Sequence, residues 1–449
     1  MLGGLCTGKK NPFGAASSNV SSMTRERPSS SEELVQRDRR HLWHPYTQHG
    51  IEADPLPILR AEGAFLHLTD GRRLIDGISS WWSILHGHGH PVLIEAMQEQ
   101  ARELDHVLFA GATHQPAVAL AEELLDVAPG KLSRVFYSDN GSTAVEVALK
   151  MVLHSWIHAS EPQRRVFIAL EGSYHGDTFG AMSVGDPDPF FDPYRPFLFE
   201  AKRIRPDDEA LDAALDELGD RVAGVIVEPL VQGAAGMRIH PASFLRHLRA
   251  RCDQRDLPLI ADEVMTGFGR TGSLFACQRA EIAPDLLCIA KGLTGGVLPL
   301  AATLTTERMF EAFLHDRRSR FFPHGHTWTA NPIGCAVARA SLRLTLENDV
   351  PRRFEEIGQR LHRTLETAGD DVDELRHIGG ICALDLHTPP EDRAGYLSEL
   401  APRIRRNAIE KGVLLRPLGN VLYAIPPACI EDGDVDRLAE TMLALIPKT

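Results

Sequence analysis

No apolar run in this 449-residue sequence approaches the ~18 residues that a membrane-spanning helix needs, so a helical membrane protein is excluded. There is no C-x-x-C pair either. The seven cysteines, Cys6, Cys252, Cys277, Cys288, Cys335, Cys382 and Cys429, are odd in number and widely scattered, which argues against a disulfide scaffold and for a reducing, cytoplasmic setting. Lysine-rich stretches are absent, and the formal charge of -13 opposes general binding to a phosphate backbone, so nucleic acid is not an expected partner. Internal repeats, low-complexity blocks and the hydrophobic core of a secretion signal are missing as well.

What remains is a composition of 43% hydrophobic and 24% charged residues, that of an ordinary globular chain. The length exceeds what one core organises, which predicts a large domain with a smaller companion. Residues 1–30, rich in Ser, Gly and Asn with little acid, read as a disordered cytosolic extension; an organelle transit peptide is the alternative, disfavoured because there is no amphipathic apolar face. Asp70-Gly71 separates two short apolar runs and predicts a hairpin. From His90 onward, helical spacing alternates with near-continuous apolar runs such as Val222–Val227 and Pro258–Ala261. Strands of that kind, separated by helices, predict an α/β domain around a mostly parallel sheet covered on both faces. The expected division is a segment 31–85 that contributes to the small domain, a large domain 86–346, and a C-terminal small domain 347–449 of mixed helix and strand.

Several positions carry chemistry. Lysine is scarce beside arginine here, yet Lys291 stands where the apolar run Leu286–Ala290 meets Gly292-Leu293-Thr294-Gly295-Gly296. A desolvated amine at such a place loses its proton readily and becomes a nucleophile toward aldehydes; a snorkelling lysine at a strand end is the alternative. Asp262 ends the run Leu257–Ala261, at the carboxyl edge where open α/β sheets bind ligands. An aspartate and a Schiff-base lysine so disposed are what a pyridoxal-phosphate enzyme requires. Ser138–Ala144 opens a helix after an apolar run, suiting it to cradle a phosphate or merely to cap the helix. Tyr174 follows another strand and offers a ring to a flat cofactor, or simply packs.

Two further motifs are weaker. Gly267-Phe268-Gly269-Arg270-Thr271-Gly272 matches the dinucleotide fingerprint, but Ser273–Cys277 shows no clear helical start, so a loop beside the Asp262 strand is the better reading. His86-Gly87-His88-Gly89-His90 is glycine-laced with no carboxylate close in sequence, and reads as a tight turn rather than a metal site.

Together these segments resemble the class III, fold-type I aminotransferases that use pyridoxal 5'-phosphate, from about His41 to the C-terminus. His44-Pro45-Tyr46-Thr47, Ser79-Ser80-Trp81-Trp82, Tyr174–Ser183, Ala261–Gly272 and Arg416-Pro417-Leu418-Gly419-Asn420 narrow the resemblance to the 7,8-diaminononanoate synthases of biotin biosynthesis. The resemblance implies a seven-stranded, mostly parallel sheet in the large domain and an α+β small domain. It implies that Lys291 holds the cofactor covalently, Asp262 pairs with the pyridine nitrogen, Gly141 and Ser142 bind the phosphate, and Tyr174 stacks on the ring. His326 and Thr327 would reach the phosphate across the interface of a homodimer. Tyr46, Trp81, Gly325 and Tyr174 would border the substrate, Arg416 would bind the carboxylate of 8-amino-7-oxononanoate, and Asp177 and Arg270 would complete its recognition.

The implied amino donor is S-adenosylmethionine. His326 stands where many members have proline, and Trp328-Thr329-Ala330 replaces a Phe-Met-Gly run, which leaves lysine open as the donor. Another class III ω-amino-acid aminotransferase is an alternative, and a catalytically silent binding protein of this fold or a dehydrogenase using the Gly267 loop are the rivals from other classes.

Overall fold

The computed structural model describes residues 30–186, 191–388 and 398–447. The expected extension 1–30 therefore lies outside the described residues, apart from Ser30. That residue caps the helix Ser31–His41, its Oγ accepting from the Glu33 N–H at 3.0 Å.

Sixteen strands are described. In chain order they are β1 (Ile58–Glu62), β2 (Phe65–Leu68), β3 (Arg73–Asp76), β4 (Leu132–Ser138), β5 (Val166–Leu170), β6 (Ala201–Ile204), β7 (Val222–Val227), β8 (Val231–Gln232), β9 (Arg238–Ile239), β10 (Leu259–Asp262), β11 (Leu286–Ile289), β12 (Ala301–Thr306), β13 (Val372–Ile378), β14 (Ile381–Leu386), β15 (Val413–Leu414) and β16 (Val421–Ala424). Seven of them form one sheet, ordered β4-β12-β11-β10-β7-β5-β6. β7 pairs in parallel with β5 and β10, β5 with β6, and β10 with β11, while β12 runs antiparallel to both β11 and β4. This is the α/β, fold-type I architecture with a mostly parallel sheet.

The apolar runs become central strands because both of their faces are covered: every residue of β5, β7, β10 and β11 is buried. β4, β5, β7, β10 and β11 point the same way, so the residues that follow them gather at a single edge. That edge is where the chemistry-bearing positions lie.

The Asp-Gly hairpin forms as β2 and β3, and β15 from near the C-terminus joins it in parallel, giving the order β1-β2-β3-β15. Strands β13, β14 and β16 make a separate antiparallel sheet. Among the described residues no helix is long and apolar enough to cross a membrane, and no two cysteines pair.

The fingerprint-like loop at Gly267–Gly272 corrects one expectation, since a helix does begin shortly after it, at Ala276–Ala280. Its first N–H groups are already taken. The buried Glu263 carboxylate accepts from Ala276 N–H at 2.7 Å and Cys277 N–H at 2.8 Å, which leaves no free anion cradle for a pyrophosphate.

Candidate active site

Beyond the carboxyl edge of the sheet lies a cavity of about 440 Å³, lined among others by Gly141, Ser142, Tyr174, His175, Glu228, Asp262, Lys291 and Trp82. Each follows from a strand end. β4 leads into the helix Gly141–His158, whose N-cap Asn140 accepts from the Thr143 N–H at 3.0 Å. The N–H groups of Gly141 and Ser142 make no hydrogen bond among the described residues and stay available to an anion. A side chain at Gly141 would place its Cβ 2.6 Å from Val264, so the close approach requires glycine.

β10 delivers Asp262. Its Oδ1 accepts from the Val264 N–H at 3.1 Å, and its Oδ2 accepts from His175 Nδ1 at 2.7 Å. Both side chains are buried, so the carboxylate is fixed in direction by two donors from different segments. β11 ends just before Lys291, which opens a short turn at a φ of 42°. Its Nζ stands 5.1 Å from the centre of the Trp82 ring, and no oxygen or nitrogen among the described residues hydrogen-bonds it. Burial lowers its pKa, while the nearby Asp262 and Glu228 act in the opposite sense. The result is an amine more readily deprotonated than a surface lysine.

β7 ends before Glu228, whose carboxylate accepts from the Tyr174 N–H at 3.0 Å and the Gly233 N–H at 2.9 Å. Burial pushes its pKa up to about 7, with Asp262 adding to the rise and His175 opposing it. The loop bearing Tyr174 is further tied to the helix Gly141–His158: Ser142 Oγ accepts from the Asp177 N–H at 3.2 Å, and Glu146 accepts from the Gly180 N–H at 2.6 Å.

The rim of the site is aromatic. Tyr46 O–H donates to Asp177 at 2.6 Å and lies 3.3 Å from the Tyr174 hydroxyl. Burial, followed by these hydrogen bonds, raises the pKa of the Tyr46 phenol. Trp81 meets the Tyr46 ring edge-on at 5.8 Å, and the Arg416 guanidinium stacks 4.8 Å from the Trp81 ring. Among the described residues Arg416 makes no salt bridge, and burial, followed by the charge of Arg416, lowers the pKa of the neighbouring Arg405. A cation on an indole, beside a second cation and without a carboxylate partner, has the chemistry to accept an anionic ligand.

The structure thus brings Gly141, Ser142, Tyr174, Asp262 and Lys291 into the cavity lining, while Tyr46, Trp81, Asp177 and Arg416 do not line it and are joined to it through the contact of Tyr46 with Tyr174. Gly325, His326 and Thr327 do not line this cavity. They lie on an outward segment where Gly325, Thr327 and Trp328 are exposed, and Lys150 Nζ anchors that segment by donating to Pro323 O at 3.1 Å. Arg270 does not line the cavity either. The residue is 1% exposed, and its guanidinium donates to the carbonyls of Pro426 at 3.0 Å and Ile84 at 2.9 Å and lies over Phe354; burial lowers its pKa to about 9.

Sequence reasoning passed over three residues. Glu228 carried the same signal as Asp262, an acid directly after a buried apolar strand. His175 adjoins Tyr174, but its partnership with Asp262 is tertiary. Trp82, the second of the tandem pair, is the one that faces the lysine.

The cavity suits pyridoxal phosphate on its own geometry. It combines free helix N-terminal N–H groups, a carboxylate oriented by a buried histidine, an amine with a lowered pKa, and an aromatic ring on one side.

Comparison with known proteins agrees. The family model described as aminotransferase class-III matches residues 46–446. An adenosylmethionine-8-amino-7-oxononanoate aminotransferase of Synechococcus elongatus is 49% identical over 421 residues, covering 90% of this chain and 98% of that protein. The crystal structure of the enzyme of that name from Methanocaldococcus jannaschii superposes with a TM-score of 0.89 at 34% identity, covering 93% of this chain and 99% of the other. A PLP-bound amine transaminase from an uncultivated Pseudomonas species gives a TM-score of 0.83 at 31% identity, covering 90% and 98%.

Proposed function

The chain belongs to the class III aminotransferases, and we propose that it transfers an amino group to 8-amino-7-oxononanoate, forming 7,8-diaminononanoate in biotin biosynthesis, with S-adenosylmethionine as donor. The observation that carries this reading is Arg416 stacked on Trp81 without a carboxylate partner, linked through Tyr46 to Tyr174 in the wall of the cavity that holds Lys291 and Asp262. A long apolar chain ending in a carboxylate fits indole and phenol walls closed by a guanidinium.

Bound pyridoxal phosphate supplies a ring that accepts the electron pair left when a substrate C–H proton departs. The Gly141 and Ser142 N–H groups would take its phosphate, and Asp262, held by His175, would serve its ring nitrogen as a fixed anion. Lys291 Nζ would both hold the cofactor and carry the proton, a role that its lowered pKa favours. Tyr174 would cover the ring and, through Tyr46 and Asp177, is linked by hydrogen bonds to the proposed substrate rim. The Trp82 ring lies 5.1 Å from the amine.

Gly325, His326 and Thr327 enter this reading through a second copy of the chain, as residues lent to the neighbouring site of a homodimer. Exposed Trp43, Phe321 and Trp328 support such an interface. The same reading places the cofactor domain at 86–346, the small domain at 31–85 with 347–449, and the enzyme in the cytoplasm.

A half-reaction tests it. S-adenosylmethionine should bleach the yellow holoenzyme and 8-amino-7-oxononanoate should restore the colour. Bleaching by lysine alone would replace the donor, and failure of the keto acid to restore the colour would overturn the acceptor.

A further inference from the structure

The segment Ser79–Trp82 has four successive positive φ angles, 49°, 44°, 74° and 71°, and none of the four residues is glycine. It closes as one turn of left-handed helix, the Trp82 N–H donating to Ile78 O at 2.8 Å and the Ser83 N–H to Ser79 O at 3.0 Å. L-residues disfavour this conformation at every step, so it persists only where the surroundings dictate it.

Those surroundings are specific. Asp76, fully buried at the end of β3, accepts from Ser80 N–H at 2.9 Å through Oδ1 and from Ser80 Oγ at 2.7 Å through Oδ2, and the same Oδ2 lies 2.8 Å from His88 Nε2. His88 belongs to the glycine-spaced histidine motif that the proposed reaction leaves unused. On the far side of the turn Ser79 Oγ donates to Ile425 O at 2.7 Å, Trp82 Nε1 donates to the Tyr423 hydroxyl at 3.0 Å, and Arg270 holds the carbonyl of Ile84. Gly296 completes the fit, since a Cβ there would come within 2.6 Å of Ile84.

The turn gives two adjacent indoles separate tasks. Trp82 goes down beside Lys291, and Trp81 goes up against Tyr46 and Arg416. A right-handed or extended backbone at Ser80 would carry Trp81 away from both partners.

We propose that Asp76, oriented by His88, is a positioning residue for substrate choice: by holding Ser80 in the left-handed turn it fixes Trp81 in the rim and so sets the fit of the acceptor chain. The inference rests on the acceptor reading above for its substrate, though not for its geometry.

The test is a double-mutant cycle on the holoenzyme, with Asp76→Asn, Trp81→Ala and the pair. Asp76→Asn should raise KM for 8-amino-7-oxononanoate about tenfold with kcat within about threefold. The pair should show no more than the Trp81→Ala effect, because both changes act through one contact. The near-ultraviolet circular dichroism that Trp81→Ala removes should already be missing in Asp76→Asn. If Asp76→Asn does not fold, Ser80→Ala and His88→Gln carry the same cycle. Additive KM effects, or an unchanged KM with an unchanged Trp81 signal in a folded variant, overturn the proposal. A wild-type enzyme that rejects the keto acid sinks the acceptor reading instead, and the dichroism cycle, which needs no substrate, still decides the positioning role.

Discussion

His175 Nδ1 lies 2.7 Å from Asp262 Oδ2, and both side chains are buried, so the acid proposed to serve the cofactor nitrogen is oriented from behind by a histidine. Removing that partner leaves the carboxylate held only by the Val264 N–H. His175→Ala should lower turnover by roughly 10- to 100-fold, the range typical of groups that orient a functional ligand from behind. Cofactor affinity should fall in parallel, read by titrating the stripped protein with pyridoxal phosphate. Wild-type affinity and turnover would assign His175 to packing alone.

Arg416→Ala should weaken the keto acid far more than the donor. A charge-assisted hydrogen bond to a carboxylate contributes about 1.5–3 kcal/mol, so KM for 8-amino-7-oxononanoate should rise roughly 10- to 100-fold. The donor half-reaction, followed by loss of cofactor colour, should change little. Equal losses in both half-reactions would contradict the assignment of Arg416.

Glu228 gives stability a pH signature. Burial holds its pKa near 7, above the ordinary glutamate value of 4.5, so the fold binds this proton more tightly than the unfolded chain does. Its contribution is complete below pH 4.5, is lost as pH rises through 7, and is flat above. The melting temperature of cofactor-free wild type, minus that of Glu228→Gln, should fall across this window and then level off. A difference independent of pH would remove the effect.

Glu263 organises the loop that imitates a dinucleotide fingerprint. Glu263→Ala strands the buried N–H groups of Ala276 and Cys277 and the Thr266 hydroxyl. At about 1–3 kcal/mol for each unsatisfied buried group, the variant should lose several kcal/mol in urea unfolding. A loss under about 1 kcal/mol would mean that water or a rearranged loop replaces the carboxylate.

The sheet was legible because buried parallel strands are apolar along their whole length, so Val222–Val227 and Leu259–Asp262 announced themselves. Asp262 and Lys291 were legible because each charge sits alone at the end of such a run. The antiparallel β12 was not, since pairing direction leaves no mark on a short apolar segment. Neither was the His88 partner: Asp76 comes from another strand, beyond any local motif. Arg270 shows the limit most clearly. An arginine in a polar, glycine-rich loop gives no sign that its guanidinium will be buried under three backbone carbonyls. The left-handed turn was equally hidden, because Ser-Ser-Trp-Trp contains none of the residues that favour positive φ.

The most direct test of the account is borohydride reduction of the yellow holoenzyme followed by peptide mapping. The account predicts a single pyridoxyl adduct, on Lys291, and a Lys291→Ala protein that folds but neither retains the label nor turns over. A colourless wild-type protein, an adduct on another lysine, or normal turnover without Lys291 would contradict it.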